Sequence, residues 1–269
     1  MQQLGVPIRT DARSYLEVLH LRLQFTRIIK GVKDLFMARI ILVGGGSSSG
    51  KSFVTQEVLK NVGEENVTRM TMDDYYLDQA DIPLADRYKV NYDHPKAFDW
   101  PLMRKQIRAL KEGLPIEKPV YDFVHLTRSN QIEVVAPKKV IIVEGIMALV
   151  DKQVRNLGDL RVFIQAGAER RFLRRIIRDA KERGRSFENI VTQYFNTVQP
   201  MYDEIVKPSS EYADLIINND GVKNLAIDVL TCVIQEQLDI ANNVKAEKQV
   251  MDEEFTEEVL RGVFQEIKG

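Results

Sequence analysis

A single cysteine, Cys232, occurs among 269 residues. One thiol excludes an internal disulfide framework and any zinc site built from several cysteines. Charge of one sign is missing too, since 38 Lys and Arg stand against 39 Asp and Glu for a formal net charge of -1. No overall basic field therefore directs the protein to nucleic acid or to an anionic membrane. No apolar run approaches the ~20 residues that span a bilayer. The opening MQQLGVPIRTDARSYLEV has no basic start followed by an unbroken apolar stretch, so the expectation is a cytoplasmic protein with neither membrane nor nucleic acid as partner. Internal repeats and low-complexity segments are absent. An Asn-Lys-x-Asp guanine motif is absent as well, and NNDG at 218–221 is no substitute, which removes a GTPase-type switch.

What is present is ordinary globular material, 44% hydrophobic and 29% charged, with ample apolar residues for a core. Short β-rich runs alternate with longer helix-period segments, the pattern of a mostly parallel sheet covered by helices on both faces. Five strands are expected at 39–44, 67–72, 139–145, 160–165 and 213–218. Helices are expected from Lys51, Pro101, Glu169 and Phe187, and from about Val222 to Ile240. KPVYDFVHLTR and NQIEVV read as two further strands joined near Ser129, a hairpin insert over about 116–136 between the second and third sheet strands. Two appendages flank this core of 38–242. Leu21, Phe25, Ile28, Val32 and Leu35 recur at helical spacing in an N-terminal extension (1–37), and Met251, Phe255, Val259, Val263 and Ile267 do so in a C-terminal tail (243–269). Each stripe packs on its own core or meets a subunit or partner.

Residues 41–53, ILVGGGSSSGKSF, carry the first chemistry. Gly45, Gly50, Lys51 and Ser52 satisfy G-x-x-x-x-G-K-[ST], with a strand before the loop and a helix after it, as the mechanism requires. A chain of this length meets the pattern by accident roughly once in a hundred cases. The glycines let backbone N–H groups from Gly45, Gly46, Ser47, Ser48, Ser49, Gly50, Lys51, Ser52 and Phe53 turn toward phosphate oxygens, and the helix N-terminus adds partial positive charge. Lys51 would reach the outer phosphates of ATP (or GTP), and the Ser52 hydroxyl would help hold Mg²⁺.

Carboxylates are expected beside that loop. The second strand runs into TMDDYYLD, which brings Asp73 and Asp74 to the carboxyl edge where open α/β sheets bind ligands. The third sheet strand delivers Glu144 to the same edge, where a Mg²⁺–nucleotide site needs one or two carboxylates. An aspartate can also orient or deprotonate an acceptor hydroxyl.

The order of GGSSSGKS, DDYY, NYDHPKAFDW, PVYDF, VIIVEGIMAL, RRIIRDAKERGRS and QYFNTVQPMYDEIVKPSSEYADLIIN resembles that of uridine kinases, a family related to phosphoribulokinases. The likeness runs from about Arg39 to Asn219. It implies a P-loop α/β kinase with an arginine-rich lid over about 169–186 that moves a phosphoryl group from ATP to a nucleoside 5′-hydroxyl, with Mg²⁺ bound by Ser52, Glu144 and Asp73. By that resemblance Asp73 is the general base, and Lys51 and Arg178 stabilise the transferring charge. Arg178, Arg183 and Arg185 are lid groups on ATP, whereas Tyr76, Asp93, Tyr121, Arg175, Arg185 and Gln193 contact the acceptor, and His125 is a further candidate for that contact. A homo-oligomer is also implied. Arg170 and Arg171 read as merely solvated.

One position departs from the family's pattern Tyr-Asp-Phe-x-x-His-Ser/Thr-Arg. Leu126 stands where the histidine that helps recognise a pyrimidine is found, and His125 lies one residue earlier. In an extended strand that offset turns the side chain to the other face, unless a bulge restores it. Uridine or cytidine is the leading acceptor. A sugar phosphate is the rival, and a nucleotide-binding regulatory protein without catalysis is the third reading.

Overall fold

The computed structural model describes residues 37–220, 225–240 and 242. The apolar stripes read over 12–36 and 249–269 lie outside them. In chain order the principal elements are β1 (Arg39–Gly44), α1 (Lys51–Val62), β2 (Val67–Thr71), α2 (Trp100–Lys111), β3 (Ile116–Asp122), β4 (Thr127–Val135), β5 (Val140–Glu144), β6 (Leu160–Gln165), α3 (Ala168–Glu182), α4 (Phe187–Gln193), β7 (Leu215–Asn218) and α5 (225–240). Five strands form one sheet in the order β2-β5-β1-β6-β7, every neighbouring pair parallel. The expected α/β architecture is therefore present.

Buried strands of a parallel sheet are apolar on both faces, and alternation divides their side chains between two cores. Ile40 and Leu42 of β1 join Met103, Ile107 and Leu110 of α2 on one face. Ile41 and Val43 join Val54, Val58 and Val62 of α1, with Ala226, Ile227, Leu230, Ile234 and Leu238 of α5, on the other. The three- and four-residue spacing along α5 is that of a helix with one buried stripe. Asp99 caps α2 by accepting from Leu102 N–H at 3.1 Å, so that helix opens at Trp100 with Pro101 in its first turn, where a missing N–H costs nothing.

Two expectations need correction. β2 stops at Thr71, and Met72–Tyr75 form a 3₁₀ turn that swings the chain across the sheet edge. The hairpin of β3 and β4 turns at 123–126, not near Ser129. Asp122 Oδ1 accepts from Val124 N–H (2.8 Å) and His125 N–H (3.0 Å), and Leu126 closes the turn at φ 53°. The polar Ser129–Gln131 stretch instead sits opposite a register irregularity between Pro119 and Tyr121, where proline cannot donate to the ladder.

Candidate active site

The phosphate loop leaves β1 at the sheet's carboxyl edge. Gly45 has φ +141°, and a Cβ there would lie 2.3 Å from the Ile164 carbonyl oxygen, so no other residue fits. Gly50 opens α1 in a left-handed conformation with no side-chain cap, which leaves the first-turn N–H groups for an anion. Behind the loop, Ser49 carbonyl accepts from Asn219 Nδ2 (2.9 Å) and Arg174 Nη1 (3.3 Å). Lys51 is buried, and its Nζ donates to the carbonyls of Gly45 and Gly46, both at 2.8 Å.

Burial lowers the Lys51 pKa to about 8, against the opposing pull of Glu144 and Asp73. Between about pH 8 and the ordinary lysine value near 10.4 the unfolded chain holds a proton that the folded one has lost, so this group adds stability as pH rises through that window. Phosphates at the loop would restore the proton. We predict that ATP binding at pH 9 takes up about one proton and that affinity falls as pH rises above 8. Calorimetry in two buffers of different ionisation enthalpy checks this, and zero uptake at pH 9 would exclude it.

Glu144 ends β5, in register with Val43 of β1 and Thr71 of β2, so pairing alone carries its carboxylate from the buried strand to a point beside the loop and the 3₁₀ turn. Arg69 of β2 donates to Glu144 Oε1 through Nε at 2.8 Å and again through Nη2. Glu144 Oε2 is buried and has no partner among the described residues. Such an orphan oxygen, with half-buried Asp73 and the Ser52 hydroxyl lining the same cleft, fits a hard divalent cation. Among the described residues no cluster of three or more His, Cys, Asp or Glu could hold a metal by itself. Mg²⁺ needs none, because it keeps waters and takes substrate phosphates as ligands.

A single cleft of about 450 Å³ joins these groups to Tyr76, Tyr92, Asp93, Tyr121, Phe123 and Leu126. Its aromatic end is built ring on ring. Tyr76 stacks on Phe98 (4.4 Å between centroids) and meets Tyr121 (5.0 Å) and Tyr92 (5.5 Å), while Phe123 packs on Tyr121 (5.2 Å). The Tyr121 hydroxyl is buried beside Tyr92, with no hydrogen bond of good geometry among the described residues. Asp93 is buried, and loss of hydration raises its pKa even though Arg175 lies nearby. Asp74 points elsewhere: it pairs with buried Lys118 of β3, which also holds Glu133 at 3.0 Å.

His125 does not join the site. It stands in the hairpin turn, 65% exposed, with Nδ1 2.6 Å from Asp122. A turn rather than a strand decides its direction. Leu126, folded back by its positive φ, is buried in the cleft wall instead.

Helix α3 inverts the usual rule. Arg171, Arg175 and Asp179, at i, i+4 and i+8, are buried, whereas Leu173 (59% exposed) and Ile177 (57%) face outward. Arg171 is thus buried and not solvated as the sequence suggested; Arg170 remains exposed, 3.8 Å from Asp220. Arg175 Nη1 donates to Ser47 Oγ (2.8 Å) and Nη2 to Gln193 Oε1 (2.8 Å), which also accepts from Arg185 Nη1 at 2.5 Å. Asp179 gathers Arg178 (2.8 Å), Arg175 (3.4 Å) and Arg183 (3.6 Å). Burial alone would raise the Asp179 pKa, but the three guanidinium groups outweigh it and hold the carboxyl below its ordinary range. Past the helix, Gly184 turns the chain at φ +62°, and Arg183 lies 4.6 Å from the Phe123 ring centroid, tying the arginine cluster to the hairpin.

The sequence pattern of the phosphoribulokinase/uridine kinase family matches residues 40–226. The chain belongs to that family. A uridine kinase from Deinococcus deserti is 46% identical over 196 residues, covering 73% of this chain and 95% of that protein. One from Lactobacillus helveticus is 44% identical over 200 residues, covering 74% and 95%. Among solved structures, phosphoribulokinase from Rhodobacter spheroides superposes with TM-score 0.58 at 13% identity, covering 77% of this chain and 99% of that one. D-glycerate 3-kinase from Cryptococcus neoformans gives 0.51 at 17%, covering 68% and 86%. At such identities the structural likeness speaks to fold alone.

Within this family member, several site groups escape a reading by motif. Arg69 sits mid-strand, where nothing in VTRMT suggests a partner 75 residues away. Asp179 lies among arginines that invite attention first. Asn219 and Arg174, which brace the loop from behind, meet it only through the sheet order. Gly45, Gly46 and Ser49 form the loop's wall and do not line the cleft, whereas Ser47, Ser48, Gly50, Lys51, Ser52 and Phe53 do.

Proposed function

We propose that this protein is an ATP-dependent nucleoside kinase that transfers the terminal phosphoryl group to the 5′-hydroxyl of uridine or cytidine. One observation carries the reading: Lys51 and Ser52 of the phosphate loop share a cleft with Asp73, and beyond Asp73 the same cleft continues into Asp93 and an aromatic box. A plain nucleotide binder has no need of that second end. Asp73 would orient the acceptor hydroxyl and take its proton, and Asp93 would accept from ribose hydroxyls. Lys51 and Arg178 would balance charge on the transferring group, with Arg183 and Arg185 closing over the donor. Arg175 and Gln193 would border the acceptor. Mg²⁺, held by Ser52, Glu144 and Asp73, would neutralise phosphate charge when bound.

The aromatic box favours a nucleoside over a sugar phosphate. Tyr76, Tyr92, Tyr121, Phe123 and Leu126 offer ring faces and a methyl surface suited to a planar base, with Arg183 over the outer ring, Phe123. GTP is the alternative donor, and a homo-oligomer in the cytoplasm completes the reading. Among the described residues no helix is long and apolar enough to cross a membrane. A coupled ADP-release assay across uridine, cytidine, purine nucleosides and sugar phosphates tests the proposal. We expect ADP release that depends on uridine or cytidine; release indifferent to every acceptor, or driven by a sugar phosphate, would reject it.

A further inference from the structure

Arg171 presents a physical problem that the proposed reaction does not address. It is 3% exposed, on the buried face of α3, one turn before Arg175. Every other arginine of that helix has an evident partner: Asp220 for Arg170, the Ser49 carbonyl for Arg174, and Asp179 for Arg175 and Arg178. Among the described residues Arg171 has no carboxylate. Its Nε donates to the Ala166 carbonyl at 3.1 Å, and its guanidinium lies 3.6 Å from the Tyr202 ring centroid. Nη1 is buried with no hydrogen-bond partner among the described residues.

A ring face and one carbonyl return less than the hydration a buried guanidinium gives up, so the charge is a net cost to the fold taken alone. Its location suggests what offsets that cost. A Cβ on Gly46 would lie 2.9 Å from Arg171 Nη1 and 2.8 Å from the Tyr202 ring, so the guanidinium is packed against the phosphate loop from behind. Arg171 is not among the groups lining the cleft. Its contact with the loop at Gly46 puts it close to any charge held by the loop's amides, with little solvent between to screen the two.

We infer that Arg171 is a fixed counter-charge for the nucleotide's phosphates, acting through the loop and compensated only when a polyphosphate occupies the cleft. It is a positioning and electrostatic residue and touches no reacting atom. The inference rests on the ATP-binding reading above. It makes two predictions of opposite sign: removing the charge weakens polyphosphate binding, yet does not weaken the free protein.

The test uses the full chain, Arg171→Met and Arg171→Lys, with calorimetric titration of ATP, tripolyphosphate and uridine, and thermal melting of the free proteins. We expect Arg171→Met to bind ATP and tripolyphosphate about 10-fold more weakly, to bind uridine as wild type does, and to melt at the same temperature or higher. Arg171→Lys, which keeps the charge, should bind both polyphosphates nearly as tightly as wild type. Unchanged polyphosphate affinity in Arg171→Met overturns the inference. So does a lower melting point or failure to fold, since the guanidinium would then be stabilising the free protein. A lysine variant as weak as the methionine one also overturns it, because shape and not charge would be at work. Wild type that binds neither ATP nor tripolyphosphate would defeat the functional reading itself, and this inference with it.

Discussion

Asp73→Asn is expected to bind ATP normally while acceptor-dependent ADP release falls by about 10²–10⁴-fold. The amide keeps the size and one hydrogen-bond acceptor of the carboxylate, so the 3₁₀ turn and the cleft should survive the change. What it loses is the ability to take a proton from the acceptor hydroxyl. Asp73 makes no side-chain ion pair among the described residues, unlike its neighbour Asp74, which is committed to Lys118. Asp74 is thus held in an ion pair, which leaves Asp73 as the carboxylate for the proposed chemical role. Steady-state kinetics with uridine or cytidine, beside ATP titration, separates the two; near-normal turnover in the variant would remove Asp73 as the base.

Asp179→Ala should be damaging in two ways. The carboxylate is wholly buried and is shared by Arg175, Arg178 and Arg183. Removing one partner from a buried ionic cluster costs about 3–5 kcal/mol, because the remaining charges stay buried and uncompensated. Turnover should fall by about 10²–10³-fold as well, since guanidinium groups that stabilise transferring charge work only when held in place. Asp179→Asn, which keeps hydrogen-bond capacity without the charge, should recover part of the stability and less of the rate. Denaturant midpoints and kcat for both variants check the expectation. An alanine variant with wild-type kcat would show that the arginines need no such anchor.

Much of this site could be read along the chain because its parts are local. The phosphate loop is a contiguous stretch whose glycines, lysine and serine have fixed relations within one strand–turn–helix unit. Glu144 was legible for a similar reason: a run of apolar β-branched residues ending in one acid can hardly place that acid anywhere but the strand's end. The hairpin turn was misplaced because two polar signals compete there. Ser129–Gln131 resembles a turn, but Asp122 bonding back to the chain two and three residues on is the stronger local device. As a consequence His125, a candidate for the acceptor, stands exposed in the turn, while Leu126 keeps the position facing the cleft.

By itself the sequence determined the parallel α/β fold, the phosphate loop and the carboxylates at the sheet's edge, because each follows from local periodicity or from spacing within one element. Only the tertiary structure decided that α3 buries its arginines and exposes Leu173 and Ile177. It alone decided that Asp179 draws three arginines together, that Arg69 occupies one oxygen of Glu144, and that Arg171 lies against the loop with no carboxylate among the described residues. The physical reason is that a charge has no periodicity of its own. Where it points depends on which opposite charges the fold brings within reach, and those come from segments far apart in the chain.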